Sequence, residues 1–475
     1  MKQFGMDLSA ELGQGKVSIG LYHTAGKGTR LAPLPGAENN NKPGVKIPAV
    51  ISLDGKTVPA TILESVIKQT GSYAASRKGR LSVFWGDQVF IPTASCKLPP
   101  QYHVDILCSL GPMMGEAEWR EKGMDKYGLI AQAKHGGAAQ VEKVDHATAV
   151  QLLSSLGDIK SVGASLGSFS VSFAMLQALL NEYSTELSAK RGKLDSDPHL
   201  WMPMTLVESS YLHLMQQKGI STDVALAQYQ RMAAMVQRFH TEQSASSLKL
   251  FGPVDVGQDV LWWDYGQLLL YQKNTLRLID DSAETRLMKL FYGISAAAPI
   301  VGADAHSNIS SSILHSASVN RSVVVNTRCQ HIEANDAIII NVTARKIIAG
   351  RGSILYNIVD SSEEGITLNE GEVRVGVFSS DSTQMVIASS TSIDGGTVFV
   401  SYFNITFTTQ WLGKSWDKPV LSNELSFAQV YEANADADPT VLEKVMSQMH
   451  DDAWGLITTS VRNKSQKRIN SELQY

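Results

Sequence analysis

Apolar residues change their spacing repeatedly along the chain, and each spacing predicts its own kind of element. Residues 17–23, VSIGLYH, are β-branched and aromatic and run into TAGKGTRLAPLPGAENNNKPG, which is too rich in Gly, Pro and Asn to be regular. That is a strand feeding a loop. In ATILESVIKQT, residues 60–70, the apolar Ile62, Leu63, Val66 and Ile67 stand at the spacing of a helix with one buried face. LSVFW, residues 81–85, reads as a second strand, closed by Gly86 and Asp87. Strands alternating with helices predict an α/β sheet, in which ligands gather beyond the carboxyl ends of the strands, where both of these loops lie. Between 170 and 240 the pattern turns helical through FAMLQALLNEY, MTLVESSYLHLMQQ and VALAQYQRMAAMVQRF, an insert expected to form a cap or side wall. Its methionines, Met202, Met204, Met215, Met232 and Met235, could make an adaptable binding face but read better as core filler.

After about residue 297 short apolar runs recur without helical periodicity. Ile313, Val319 and Val325 are six apart, and Ile332 and Ile338 continue the rhythm after a slip of one. A six-residue period predicts the coils of a β-helix, each burying its apolar residue only by stacking on the next; an ordinary antiparallel sheet is the alternative. Strand-like runs, VRVGVF and TVFVSYFNITF, follow before TVLEKVMSQM turns helical, and the tail KSQKRINSELQY reads as a frayed, solvated end. The expected division is therefore an α/β domain over 1–280, with its helical insert at about 170–245, and a β-helix-containing domain over 297–475.

Composition narrows the class. The 475 residues carry 42 basic and 46 acidic side chains, with 43% hydrophobic and 19% charged residues, the usage of a globular protein. This excludes an extended basic nucleic-acid tract and wholesale disorder. No apolar run approaches the roughly 18–20 residues of a membrane span, and MKQFGMDLSAELGQGK lacks the apolar stretch of a secretory signal. A soluble, intracellular chain with neither nucleic-acid nor membrane partners is expected. Cys96, Cys108 and Cys329 form no CxxC pair, so small buried hydrophobes are expected rather than a disulfide framework or zinc site.

Three constellations carry chemistry. The first, Thr24-Ala25-Gly26-Lys27-Gly28-Thr29-Arg30-Leu31 with Lys42-Pro43 downstream, follows a strand. Gly26 and Gly28 let backbone N–H groups approach a charged ligand, while Lys27, Arg30 and Lys42 supply positive charge suited to a triphosphate. It is neither the Walker pattern nor GxGxxG. The second is Gly86-Asp87, where a carboxylate at a strand end could hold a hard divalent cation against phosphate oxygens, or merely cap a turn. The third is Leu261-Trp262-Trp263-Asp264-Tyr265-Gly266-Gln267 with Tyr271 and Asn274. An Asp among large aromatics suits a second metal-holding carboxylate better than a solvated surface.

The order AGKGTRL with KP, WGDQ, YGL (127–129), VEK (141–143), SLGSF (165–169) and WWDYGQ closely resembles the sugar-1-phosphate nucleotidyltransferases, or nucleotide-sugar pyrophosphorylases, over residues 19–275. The resemblance implies a Rossmann-like nucleotidyltransferase domain with a mixed central sheet and a C-terminal left-handed β-helix. It implies nucleotide binding by Ala25, Gly26, Gly28, Thr29 and Gly86, catalytic phosphate contacts from Arg30 and Lys42, and Mg2+ held by Asp87 and Asp264. Sugar phosphate would fall to Gly128, Glu142 and Lys143. The sequence departs from the family in Thr24-Ala25-Gly26 for AGG or AAG, in Gly266-Gln267 for GT, and in a short stretch from Lys42 to Asp87. There Gln69-Thr70-Gly71 stands in for a base-reading loop. A likeness to long, divergent plastid UDP-glucose pyrophosphorylases of plants and algae places UTP and glucose 1-phosphate first, ahead of ADP-glucose and GDP-mannose types, in the cytoplasm or plastid stroma. The β-helix would serve subunit packing, as a homo-oligomer, or regulation. Two other readings are a noncatalytic subunit of this fold, and an acyl transferase using His306, His315 or His331 of the β-helix as base.

Overall fold

A computed structural model describes residues 5–24, 26–53, 55–95, 99–189, 200–294, 300–393, 400–402, 405–407 and 414–472. By contact the chain falls into two interleaved compact units. One comprises Met1–His23, Lys68–Trp85 and Phe90–Trp262, the other Thr24–Ile67, Gly86–Val89 and Trp263–Tyr475.

The first unit is built on a mixed seven-stranded sheet. Ile19–His23 runs parallel to Arg80–Trp85, which pairs antiparallel with the long strand Ile159–Ser172. That strand in turn pairs antiparallel with Tyr102–Gly111 and with Gly128–Ala133, and Tyr102–Gly111 lies parallel to Lys249–Asp255. Ala138–Glu142 completes a hairpin with Gly128–Ala133. Tyr102–Gly111 is buried over most of its length, as expected of a strand covered on both faces. The helices between 173 and 242 pack on the sheet as part of the core. Met202 and Met215 share a cluster with Leu129, Val141 and Leu152, while Met232 and Met235 pack with Tyr183. These methionines are core filler.

The sheet carries a buried ionic group. Asp105 lies 3.4 Å from both Arg77 Nε and Arg80 Nη2, all three side chains almost fully enclosed. Arg80 also donates to the Tyr102, His103 and Ser170 carbonyls, and Arg77 stacks 4.3 Å from the Tyr73 ring. Burial raises the Asp105 pKa while Arg80 and Arg77 oppose it.

The second unit contains a parallel β-solenoid of about four turns over residues 308–375. Ile313–Asn320, Arg328–Asn335 and Thr343–Ala349 stack in one sheet, and Asn308–Ser310, Val323–Val325, Ile338–Ile340, Ile354–Tyr356 and Glu372–Phe378 in another. The antiparallel alternative is thereby excluded. The coil length differs from the expected six-residue rhythm: equivalent residues recur every 15, then 16, positions. The long strand is interrupted at His315, Gln330 and Arg345, so that Thr343–Ala344 and Ile347–Ala349 pair with separate partners. Unequal faces scatter the inward residues; Ile332 stacks on Ala317 and Ile347, whereas Ile313 is exposed. The coil corners are set by left-handed residues. Asn326, Asn341 and Asn357 have φ of 48°, 57° and 59°. Their side-chain amides bond one another down the stack, Asn326 Nδ2 donating to Asn341 Oδ1 at 2.7 Å and Asn341 to Asn357. Asparagine tolerates this backbone region better than most residues.

The solenoid is closed by an antiparallel hairpin, Glu372–Phe378 with Gln384–Ser390, whose outer strand exchanges two hydrogen bonds with the Asn423 side chain at Ala388. The final helix, Pro439–Glu472, lies along the coils. Arg328 pairs with Asp451 at 2.8 Å, His450 Nδ1 shares a 2.8 Å hydrogen bond with Thr343 Oγ1, and Arg345 donates to Ser460 Oγ. Residues 464–472, expected to fray, continue this helix instead. Of TVFVSYFNITF, residues 400–402 and 405–407 form a short antiparallel pair, and the rest lies outside the described residues. Cys108 and Cys329 are buried free thiols, burial raising both pKa values, that of Cys329 to about 12; Cys96 lies outside the described residues. No described helix is long and apolar enough to cross a membrane.

Candidate functional site

His23 and Trp85 end neighbouring parallel strands in register, and in sequence the chain continues from one into the glycine-rich loop and from the other into Gly86-Asp87. From Thr29 the loop folds as short 3-10 turns, Thr29–Leu31, Leu34–Glu38 and Lys42–Gly44, anchored by the fully buried Leu31, Leu34 and Val45. Gly28 is required on two counts. Its φ is 65°, and a Cβ there would sit 3.0 Å from Pro35 Cγ and 3.1 Å from Lys42 Cβ. Gly26, with φ of 107°, has nothing within 4 Å of a Cβ position, leaving open space above the loop. Ala25 lies outside the described residues.

Lys42, tucked under Gly28, places its ammonium 2.5 Å from Asp87 Oδ2, with both side chains largely buried. Asp264 arrives from the aromatic strand Leu261–Asp264. Trp263 and Tyr265 on either side are fully buried and hold it in place, Trp263 Nε1 donating to Glu284 Oε1 at 2.9 Å and Tyr265 OH hydrogen-bonding Tyr292 OH at 2.7 Å. Tyr265 N–H donates to the Asp87 carbonyl at 3.0 Å, and Asn274 Nδ2 to the Asp264 carbonyl at 2.8 Å. This backbone tie brings the two acidic residues, distant in sequence, side by side.

Their carboxylates converge on Gly266. A Cβ on that residue would lie 2.8 Å from Asp87 Oδ2 and 3.0 Å from Asp264 Oδ1, so each oxygen lies close to the same point. Gly266 N–H donates to Asp264 Oδ1 at 2.7 Å. The electrostatics agree. Burial raises the Asp264 pKa; the Gly266 N–H opposes, the like charge of Asp87 adds to the rise, and Arg30 and Lys42 counteract it. Arg30 is exposed and acts on this carboxylate through its charge.

Two converging carboxylates that repel, one partly desolvated, suit a hard divalent cation, which commonly takes one or two carboxylates and completes its shell with water and phosphate oxygens. Among the described residues no group of three or more His, Cys, Asp or Glu gathers as a metal cage, so phosphate or water ligands would be required. On this donor chemistry Asp87 and Asp264 fit Mg2+, with Lys42 as the resident cation on Asp87.

Gly128, Glu142, Lys143 and Gln69 belong to the first unit. Gly128 and Glu142 are register partners, and a Cβ at Gly128 would collide with Glu142 Oε2, so glycine makes room for that buried carboxylate. Lys143 has φ of 53°, donates its N–H to the Tyr127 carbonyl at 3.1 Å, and holds its exposed ammonium 3.6 Å from Glu142 Oε1. The Tyr127 and Trp262 rings lie 5.1 Å apart. Within SLGSF, Gly167 has φ of 73° at a bulge and lies against the Trp85 indole. Gln69 sits on the helix Ile62–Ala75 with its carbonyl oxygen buried and unpaired. On the solenoid, His331 bonds Glu333 and Ser316 on the surface and His315 packs on Trp454.

Sequence reasoning missed two features. One is the role of Gly266 as the backbone floor between the carboxylates. The other is a set of C-terminal contacts to the glycine-rich loop: Asn39 Nδ2 donates to the Ala437 carbonyl at 3.0 Å, Asn40 Nδ2 to the Tyr431 carbonyl at 2.6 Å, and Asn434 Nδ2 to the Gly36 carbonyl at 2.7 Å. Lys27 Nζ lies 5.2 Å from the centre of the Tyr431 ring and 6.0 Å from that of Trp416. No protein-family model matches the chain, and no curated protein matches it.

Proposed function

We propose that this chain transfers a nucleotidyl group from a nucleoside triphosphate to a hexose 1-phosphate, with UTP and glucose 1-phosphate as the first pair to test. The observation that supports this best is the convergence of Asp87 Oδ2 and Asp264 Oδ1 on Gly266, with Lys42 on Asp87 and Gly28 against Lys42. The motif order resembling the sugar-1-phosphate nucleotidyltransferases supports the substrate class.

In this reading an oxygen of the sugar phosphate attacks the α-phosphorus. A new P–O bond forms as the bridging bond to the β-phosphate breaks, and its electron pair leaves on pyrophosphate. No side-chain nucleophile is needed, because positioning and charge neutralisation supply most of the acceleration in such transfers. Asp87 and Asp264 would hold Mg2+, which when bound would neutralise phosphate charge. The open space above Gly26 admits phosphates close to the backbone, and Arg30 and Lys42 stabilise the departing pyrophosphate. The resemblance assigns the sugar phosphate to Lys143, whose ammonium is exposed beside Glu142.

The test is pyrophosphate release with Mg2+ over UTP, ATP, GTP and dTTP against several hexose 1-phosphates. Turnover with one pair, lost in Asp87→Asn, supports the proposal. No turnover with any pair overturns it in favour of a noncatalytic chain of this fold.

A further inference from the structure

We propose that the C-terminal segment 416–437 is a positioning element for nucleotide binding, holding the glycine-rich loop in shape and Lys27 at its edge. The inference rests on the nucleotide reading above and extends it to residues that no motif marks.

Three features support it. Asn39 and Asn40 are consecutive non-glycine residues in the left-handed region, with φ of 52° and 63°. Such a pair persists only where its surroundings fix it. What fixes it here is the C-terminal segment: both side-chain amides donate to its carbonyls, at Ala437 and Tyr431, and Asn434 reaches back to Gly36. Second, Ala32 of the loop is buried in a cluster with Val377, Ile387, Phe427 and Val430. A Cβ on Gly36 would stand 3.2 Å from Val430 Cγ1, so the approach is close. Third, the Lys27 ammonium rests on the faces of Tyr431 and Trp416, one residue from the open space at Gly26.

A cation over an aromatic face near solvent is held weakly enough to exchange partners, yet its side chain is confined to one region. Lys27 therefore waits beside the place a triphosphate would enter, and Asn39 and Asn40 of the same loop are tied to the segment by their side-chain hydrogen bonds. A pre-ordered loop loses less freedom on binding, which raises affinity. The segment thus acts on the nucleotide through the loop and touches no reacting atom, so Tyr431 and Asn434 are positioning residues.

The experiment uses the full chain with Tyr431→Leu, which removes the ring, and Tyr431→Phe, which keeps it. The Kd for UTP with Mg2+ is measured calorimetrically without sugar phosphate, together with KM for UTP and for glucose 1-phosphate. The proposal predicts that Tyr431→Leu weakens UTP binding and raises its KM about three- to tenfold, from the size of a partly exposed cation–aromatic contact. The KM for glucose 1-phosphate stays unchanged, and Tyr431→Phe stays within about twofold of wild type, because only the ring is used. Wild-type UTP affinity in Tyr431→Leu overturns the positioning role, as does an equal loss for both substrates. If Tyr431→Leu does not fold, Lys27→Met decides instead: a matching loss of UTP affinity supports the role, and none overturns it. If UTP does not bind the wild-type chain, the same measurements are made with whichever of ATP, GTP or dTTP does; absence of binding by all four would instead remove the nucleotide reading on which the inference stands.

Discussion

Replacing Lys42 by methionine should strengthen divalent-cation binding while abolishing most turnover, two effects of opposite sign that no general damage to the fold produces. The Lys42 ammonium sits 2.5 Å from Asp87 Oδ2, the oxygen that also lies 2.8 Å from the position of a Cβ on Gly266. Both side chains of the pair are more than four-fifths buried, so water screens the contact poorly. A cation seeking that oxygen must first displace the ammonium. A hydrogen bond between charged groups in such a setting contributes about 1.5–3 kcal/mol. Removing it should tighten binding of a divalent ion about 10- to 100-fold. Methionine keeps the stem that packs under Gly28 and removes only the charge. The assay is titration with Mn2+ in the absence of nucleotide, following free Mn2+ by electron paramagnetic resonance. Equal or weaker Mn2+ binding in Lys42→Met would show that the lysine and the metal do not compete for Asp87, and the reasoning would fail.

Three other perturbations probe the surrounding structure. Gly266→Ala puts a methyl group at 2.8 and 3.0 Å from the two carboxylate oxygens, which must move apart; a displacement on the order of 1 Å costs about 100-fold in turnover, read from pyrophosphate release. Asp105→Ala leaves Arg77 and Arg80 enclosed without their anion and should cost about 3–5 kcal/mol in urea denaturation, whereas a loss under about 1 kcal/mol would mean the group is not a working ion pair. His450 is held neutral, its pKa lowered to about 3 by burial and then by the charges of Arg328 and Lys46. Unfolding therefore takes up a proton once pH falls below the ordinary histidine value of about 6.5, and this site loses about 1.4 kcal/mol of stability per pH unit from there toward its folded pKa. His450→Asn should flatten that slope in denaturation measured between pH 6.5 and 4.5, and an unchanged slope would contradict it.

The strands at 19–23 and 80–85 and the helix from Ile62 are plain in the sequence because β-branched runs and helical spacing reflect burial directly. The solenoid was legible as stacked short strands, but its coil length was not. Inward residues come from unequal faces, so apolar spacing alone misleads; the better marker was the recurrence of Asn326, Asn341 and Asn357 at the corners. Each acidic motif could be found singly, since Gly-Asp at a strand end and Asp among aromatics are local patterns. Their meeting could not, because it depends on a backbone hydrogen bond from Tyr265 to Asp87. The contacts from residues 416–437 leave no trace for a related reason: they join amide side chains to carbonyls, and every residue has a carbonyl.

The most direct test of the central claim, that Asp87 and Asp264 jointly hold one divalent ion for nucleotidyl transfer, is Mn2+ titration of the wild-type chain, Asp87→Asn, Asp264→Asn and the double variant in the presence of UTP. One strong ion per chain, weakened to a similar degree by either single change and little further by both, is the result expected of a shared site. Independent, additive losses, or binding indifferent to both residues, would contradict it.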